Sequence, residues 1–203
     1  MHSSPDEEPC CSVVELRQYS TRPGQRDVLI EIFDNHLVQP QQDVGMHILG
    51  QFRDLDAPDA FVWLRGFRSL PGRRRALEDF YYGPVWRQHS VAANRTMVDS
   101  DDVLLLQPDD STRAALHAPA AGPASIYTLL VGPPTGIDAD RAATFGTLDV
   151  VNDFPALPVR TDFRGTVHLT AHDDESAARA HADAAVGAQQ IRVLSPTAGS
   201  MLA

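Results

Sequence analysis

The sequence contains no lysine; all 17 of its basic residues are arginine. A lysine Schiff base and a Walker-type phosphate loop are thereby excluded, because both depend on a primary amine. Cysteine is nearly absent as well: Cys10 and Cys11 are the only two, and they are adjacent. Neighbouring cysteines close no useful loop and there is no second pair to build a framework. They read as reduced thiols of a cytoplasmic protein. The opening MHSSPDEEP is acidic and lacks the apolar region of a secretory leader. No hydrophobic run approaches the length of a membrane span. Positive charge is outweighed, with a formal net charge of −10, which disfavours attraction to phosphate backbones. Neither nucleic acid nor membrane is expected as a partner. There is no Ser-His-Asp arrangement, nucleophile elbow, Cys-x-x-Cys pair or dinucleotide fingerprint, and Gly24, Gly132 and Gly136 read as turn glycines. No NAD, flavin or ATP site follows from the motifs, and no cofactor is expected.

What is present is a chain of 203 residues, 43% hydrophobic, enough for one large domain or two small ones. Residues 1–12 read as a disordered tail. Val13–Ser20 alternates as a strand. After Pro23-Gly24, apolar residues at Val28, Leu29, Ile32, Phe33 and Leu37 form a helical stripe that should end before Pro40. Gly45–Arg53 and Phe61–Phe67 read as strands, Arg73–Phe80 as a short helix, Pro84–Thr96 as a helix with proline in its first turn, and Val98–Gln107 as a strand. The order β-α-β-β-α-β is the ferredoxin-like arrangement of an α+β fold. Residues 109–124 are rich in Pro, Ala and Asp and read as a linker. A weaker copy then follows. Ile126–Val131 stands where Val13–Ser20 stood. Asp138–Thr147 reads as a short helix, Val159–Asp162 and Thr166–Ala171 as strands, Glu175–Val186 as a helix capped by Asp173 or Asp174, and Gln190–Leu194 as the last strand. Two tandem repeats are expected, residues 13–108 and 125–203.

The stretches ELRQYSTRPGQRD, GMHILGQFRDLDAPDAFVWLRGF, ALEDFYYGPVW and ANRTMVDSDDVLLLQP resemble successive blocks of bacterial NIPSNAP-type proteins. They cover most of residues 13–108 in order, and IYTLLVGPP, NDFPALPVR and VHLT are weaker matches further on. The NIPSNAP family is a branch of the dimeric α/β-barrel superfamily. The resemblance implies ferredoxin-like repeats whose sheets pair face to face into a barrel, within one chain as a pseudo-dimer or between two chains as a homodimer. Relatives by that fold include cofactor-free monooxygenases, polyketide cyclases, lactone isomerases and haem-dependent enzymes. A fold shared by so many chemistries does not name a reaction.

Strand alternation sorts side chains onto two faces. Val14, Leu16, Val62, Leu64 and Gly66 are small or apolar and are expected to pack under the helices. The opposite set, Glu15, Arg17, Tyr19, His47, Gln51, Trp63 and Arg65, is expected to line a barrel interior. Aromatic walls with a few polar tips describe a small-molecule pocket. The helix after Pro84 would add Trp86 and His89, and the proline-braced loop Asn152–Arg160 would add Phe154 and Arg160. His89, His47 and Arg65 are the candidate catalytic groups, the histidines as bases near neutral pH and the guanidinium as the partner of an enolate-like oxygen. The plain alternatives are a salt-bridge network joining Glu15, Arg17 and Arg65, a hydrogen-bonded core role for His89 and a rim position for His36. His168 and His172 sit about 13 Å apart on a regular strand, too far to share one metal ion. The expected function is a cofactor-independent tailoring enzyme of secondary metabolism. It would act on an aromatic or polyketide-like molecule by proton-transfer cyclisation, isomerisation or oxygenation. The competing expectation is a non-catalytic binding or scaffold protein, with haem binding a distant third that would need an axial histidine.

Overall fold

The computed structural model describes residues 10–116, 126–134 and 142–202. Strand β1 (Val13–Thr21) leads into α1 (Arg26–Ile32), a π-helical turn (Phe33–Leu37) and α2 (Val38–Asp43). Strands β2 (His47–Asp54) and β3 (Ala60–Phe67) form a hairpin, followed by α3 (Leu70–Tyr81), α4 (Pro84–Thr96) and β4 (Met97–Pro108). After α5 (Asp110–Ala115) come β5 (Ile126–Val131), β6 (Ala142–Thr147), β7 (Thr166–His172), α6 (Glu175–Ala184) and β8 (Gln190–Pro196).

Among the described residues, eight strands close into one antiparallel barrel in the order β1-β3-β2-β8-β5-β7-β6-β4. The first half of the chain contributes β4-β1-β3-β2, the ferredoxin-like order, and the second half contributes β8-β5-β7-β6 in the same relative order. The halves join at two short seams. Phe52, Arg53 and Asp54 of β2 pair with Pro196, Ser195 and Leu194 of β8. Leu106, Gln107 and Pro108 of β4 pair with Thr147, Gly146 and Phe145 of β6.

The barrel is filled. Val14, Leu16, Phe52, Val62, Leu64, Leu104, Leu106, Tyr127, Leu129, Phe145, Val167, Leu169 and Leu194 form one buried cluster drawn from both halves. A second cluster, with Tyr19, Leu29, Phe33, Leu37, Ile48, Phe61, Trp63, Phe67, Leu77, Phe80 and Ala93, lies between the first-half sheet and its helices. The expected assignment of faces is therefore reversed. Val62 and Leu64 point into the barrel, while Glu15, Arg17, Tyr19, Trp63 and Arg65 lie under the helices. The reason is volume and polarity. An eight-stranded barrel has room only for branched aliphatic filler and a few rings. Large aromatics and guanidinium groups need the wider, hydrogen-bonding layer that helices supply.

Other expectations are corrected by the same coordinates. The first helical segment does not stop before Pro40, which lies inside α2. Ahead of it the ladder loosens into the π-turn, where the Val38 N–H reaches back to the Phe33 carbonyl. The proline then falls in the first turn of α2, where its missing N–H costs little. Residues 142–147 form β6 instead of a helix, because pairing with β4 and β7 overrides the alanine-rich composition; the start of that expected helix, residues 138–141, lies outside the described residues. No strand forms at residues 159–162. The expected linker opens with α5, capped by the Asp109 carboxylate, which accepts the Thr112 N–H at 2.7 Å; residues 117–125 lie outside the described residues. Within the expected tail, Cys11 is fully buried against Gly66, which has no room for a side chain. The sulfurs of Cys10 and Cys11 lie next to each other. Gly45, at φ +91°, supplies the left-handed turn into β2.

The Asp174 carboxylate accepts the Ala177 N–H at 2.8 Å and so starts α6. Asp174→Ala is expected to cost about 1 kcal/mol, measurable as a small, parallel shift of the urea unfolding curve.

Candidate functional site

The face of the first-half sheet that meets the helices carries an unusual charge cluster. Glu15 on β1 is fully buried and receives three guanidinium groups. Arg17 Nη1 and Arg65 Nε donate to Oε2 at 2.7 and 2.8 Å, and Arg73 Nε donates to Oε1 at 2.7 Å. Arg73 comes from α3 and also pairs with Asp153 and reaches Asn152 at 3.3 Å. Burial opposes the charged form of Glu15, but Arg65, Arg17 and Arg73 together outweigh it and hold its carboxyl well below the usual range. The salt-bridge network weighed as the alternative for Glu15, Arg17 and Arg65 is thus present, joining the sheet to the helices.

An aromatic layer stands in front of these charges. The Arg17 guanidinium lies 5.4 Å from the Tyr19 ring centre and 5.6 Å from that of Trp63. Arg65 lies 5.2 Å from Trp63 and 5.7 Å from Tyr81. Arg17 Nε donates to the Tyr19 hydroxyl at 2.8 Å, and Arg65 Nη1 donates to Gln41 Oε1 at 2.9 Å and to the Tyr81 hydroxyl at 3.3 Å. Burial pushes the Tyr19 phenol up, against the opposing pull of Arg17, so it stays protonated at neutral pH. Its own O–H has no acceptor among the described residues.

Beyond this layer is a cavity of about 30 Å³. Tyr19, Trp63, Gln41 and Tyr81 form its polar side, and Phe33, Leu37, Trp86 and Ala93 close it from the π-turn and α4. At about 10–15 Å³ per water-sized guest, it holds a molecule of a few atoms in this conformation. Trp86 is half-buried, held by ring contacts to Tyr81 at 5.0 Å and Phe80 at 5.9 Å. The π-turn carries Phe33 and Leu37 to the cavity, with Phe33 at 4.6 Å from Trp63. Such turns are frequent at functional sites.

The structure therefore brings together Glu15, Arg17, Tyr19, Trp63, Arg65 and Trp86, and separates the remaining candidates. His89 lies on α4 between Trp86 and Ala93 and stacks on His36 at 4.2 Å, where the π-turn meets α4. His47 is parted from this face by an irregularity between Ile48 and Gly50: it pairs with Gly66 on the barrel side, whereas Gln51 pairs with Trp63 on the helix side. Gln51 is buried at the far end of that face, its amide donating to the Gly199 carbonyl at 2.9 Å. Phe154 packs 6.0 Å from Tyr81 and braces the wall from outside. Arg160 is remote, paired with Asp102 and Asp162, each at 2.9 Å, beside a different cleft. Sequence reading missed Arg73, Gln41 and Asp153. Arg73 carried a signal, since it shares a helical face with Ala76, Leu77 and Phe80.

In the second half, Thr128 lies buried on β5. Its hydroxyl lies 3.0 Å from His172 Nε2 and 2.9 Å from His181 Nδ1. His168 is bound instead to Thr144 and Thr166, each at 3.1 Å. Among the described residues no group of three or more His, Cys, Asp or Glu is placed to hold a metal ion. No described helix is long and apolar enough to cross a membrane.

None of the curated proteins matches this chain. Among solved structures, a putative monooxygenase from Lactobacillus acidophilus is similar over 94% of both chains, with a TM-score of 0.54 at 11% identity, a likeness of fold alone. A NIPSNAP family protein from Agrobacterium tumefaciens is 19% identical, covering 48% of this chain and 93% of its own, with a TM-score of 0.45. An uncharacterized NIPSNAP-like domain protein from Burkholderia xenovorans is 23% identical, covering 48% of this chain and 85% of its own, with a TM-score of 0.45. The NIPSNAP family model matches residues 14–111, the segment that runs from β1 into α5 and carries the cavity. Over residues 14–111, this chain is similar to the NIPSNAP family.

Proposed function

We propose that the chain is a cofactor-independent enzyme that transfers protons on a small, enolisable or aromatic molecule held between the first-half sheet and its helices. The barrel is read as two ferredoxin-like repeats fused in one chain, the second taking the place of a second subunit. The single observation that carries the catalytic reading is the Tyr19 hydroxyl. It lines an aromatic cavity, accepts a hydrogen bond from Arg17 at 2.8 Å, and keeps its own proton for a guest. A neutral phenol backed by a fixed cation is suited to stabilise an enolate oxygen in a dry site. Isomerisation and cyclisation both pass through such an oxyanion. His89 stacks on His36 outside the residues that line the cavity, so it is not assigned as the base.

Deuterium exchange into a small 1,3-diketone, followed by NMR in D₂O, tests it. The protein should accelerate exchange, and Tyr19→Phe should lower the rate by about 10²-fold while shifting the melting temperature little. No acceleration over buffer would retire the catalytic reading. The second reading, a non-catalytic binder or scaffold, draws on the barrel interior, where apolar side chains from both halves form one buried cluster.

A further inference from the structure

The charges around Glu15 do not balance. Among the described residues, the guanidinium groups of Arg17, Arg65 and Arg73 face the carboxylates of Glu15 and Asp153, so the cluster carries one excess positive charge. Arg65 and Arg73 are completely buried at their side chains. Among the described residues, the buried Nη2 of each and the buried Trp63 indole nitrogen have no hydrogen-bond partner. A buried, uncompensated cation is costly, and unpaired buried donors add to that cost. The excess lies one layer behind the cavity. Arg65 touches it through Gln41 and Tyr81, and Arg17 touches it through Tyr19. Every polar group of the cavity wall thus either donates a hydrogen bond or is polarised by a guanidinium.

We infer that the ligand of this cavity is an anion, with a carboxylate or enolate seated against Tyr19, Gln41, Tyr81 and Trp63. Its charge completes the set that Glu15 and Asp153 leave short. This rests on the cavity being the ligand site, as proposed above, and adds the charge of what it takes. A neutral guest of the same shape would leave the excess cation unpaired and should bind far more weakly. The net charge of −10 works against anions at the surface, so a saturable anion site marks a local exception.

The test uses a charged and a neutral molecule of equal size, acetate and acetamide, each small enough for the cavity. The chain has 2 tryptophans, and both Trp63 and Trp86 line the cavity, so intrinsic fluorescence reports on this site alone. At constant ionic strength, with chloride as the balancing salt, acetate should change the fluorescence saturably with one site per chain. Acetamide should bind at least about tenfold more weakly. Gln41→Glu places a carboxylate beside Arg65 at the cost of the bond from Gln41 to the Leu37 carbonyl. It should abolish the acetate response while near-UV circular dichroism stays native. Equal affinity for acetate and acetamide would overturn the inference and leave the cavity reading intact. So would undiminished acetate binding by a folded Gln41→Glu. No response to acetate also overturns it, while the deuterium-exchange assay decides the catalytic reading separately. The acetate–acetamide contrast is made on the unaltered protein, so it stands even where the variant does not fold.

Discussion

Glu15→Ala is expected to lower the unfolding free energy by about 3–5 kcal/mol, because it leaves three buried guanidinium groups with Asp153 as their remaining carboxylate. The loss should appear as an earlier midpoint in urea with an unchanged slope. Arg17→Ala or Arg65→Ala should cost less, since each removes one of the three cations and brings the cluster nearer to balance. That ordering distinguishes a cation-rich cluster from an ordinary ion pair, in which either partner is equally costly to remove. The pH dependence follows from the same geometry. The folded-state pKa of Glu15 is depressed from its ordinary 4.5, so its stabilisation is fully present above about pH 4.5. It is lost progressively as pH falls from there towards the much lower folded value. In the Glu15→Ala protein, the acid limb of the stability curve should be flatter below pH 4.5 than in the unaltered chain.

Phe52→Ala is the second large effect, about 3–5 kcal/mol for a fully buried ring. Phe52 belongs to β2 at its seam with β8, and its ring meets Tyr127 of β5 at 5.2 Å. One aromatic contact therefore spans the two halves of the chain inside the barrel. Since the halves share that core, unfolding should remain a single transition, with tryptophan fluorescence and far-UV circular dichroism coincident. Both tryptophans belong to the first half, whereas helix and strand signals come from both. Separate transitions by the two probes would show that the halves are energetically independent and that the seam contributes little.

Much of the local structure was legible in the chain. Apolar alternation marked β1, β3 and β7, Pro84 marked the first turn of α4, and Asp174 marked the start of α6, because each signal acts over a few neighbouring residues. The NIPSNAP blocks of residues 13–108 were legible too, and with them the ferredoxin-like order of the first half. The irregular places were less so. The π-turn before Pro40 and the irregularity between Ile48 and Gly50 leave no clear periodic trace. The second of these turned His47 away from the face where alternation had put it.

The residues of the candidate site were nearly all in view, but their surroundings were not. The sequence by itself determined that Glu15, Arg17, Tyr19, Trp63 and Arg65 share one face, because a strand has a period of two and adjacent strands keep register. It could not determine which side of the sheet that face takes, since both phases of an alternating pattern satisfy the same period. Tertiary structure decided it. The barrel closes within one chain and leaves room inside for Val, Leu and a few rings. The bulky, charged set is forced outward, where Arg73 from α3, Gln41 from α2 and Asp153 from a distant loop complete it. Those three partners come from segments far apart in the chain. Their meeting depends on how the helices pack on the sheet, a relation no local pattern of residues encodes.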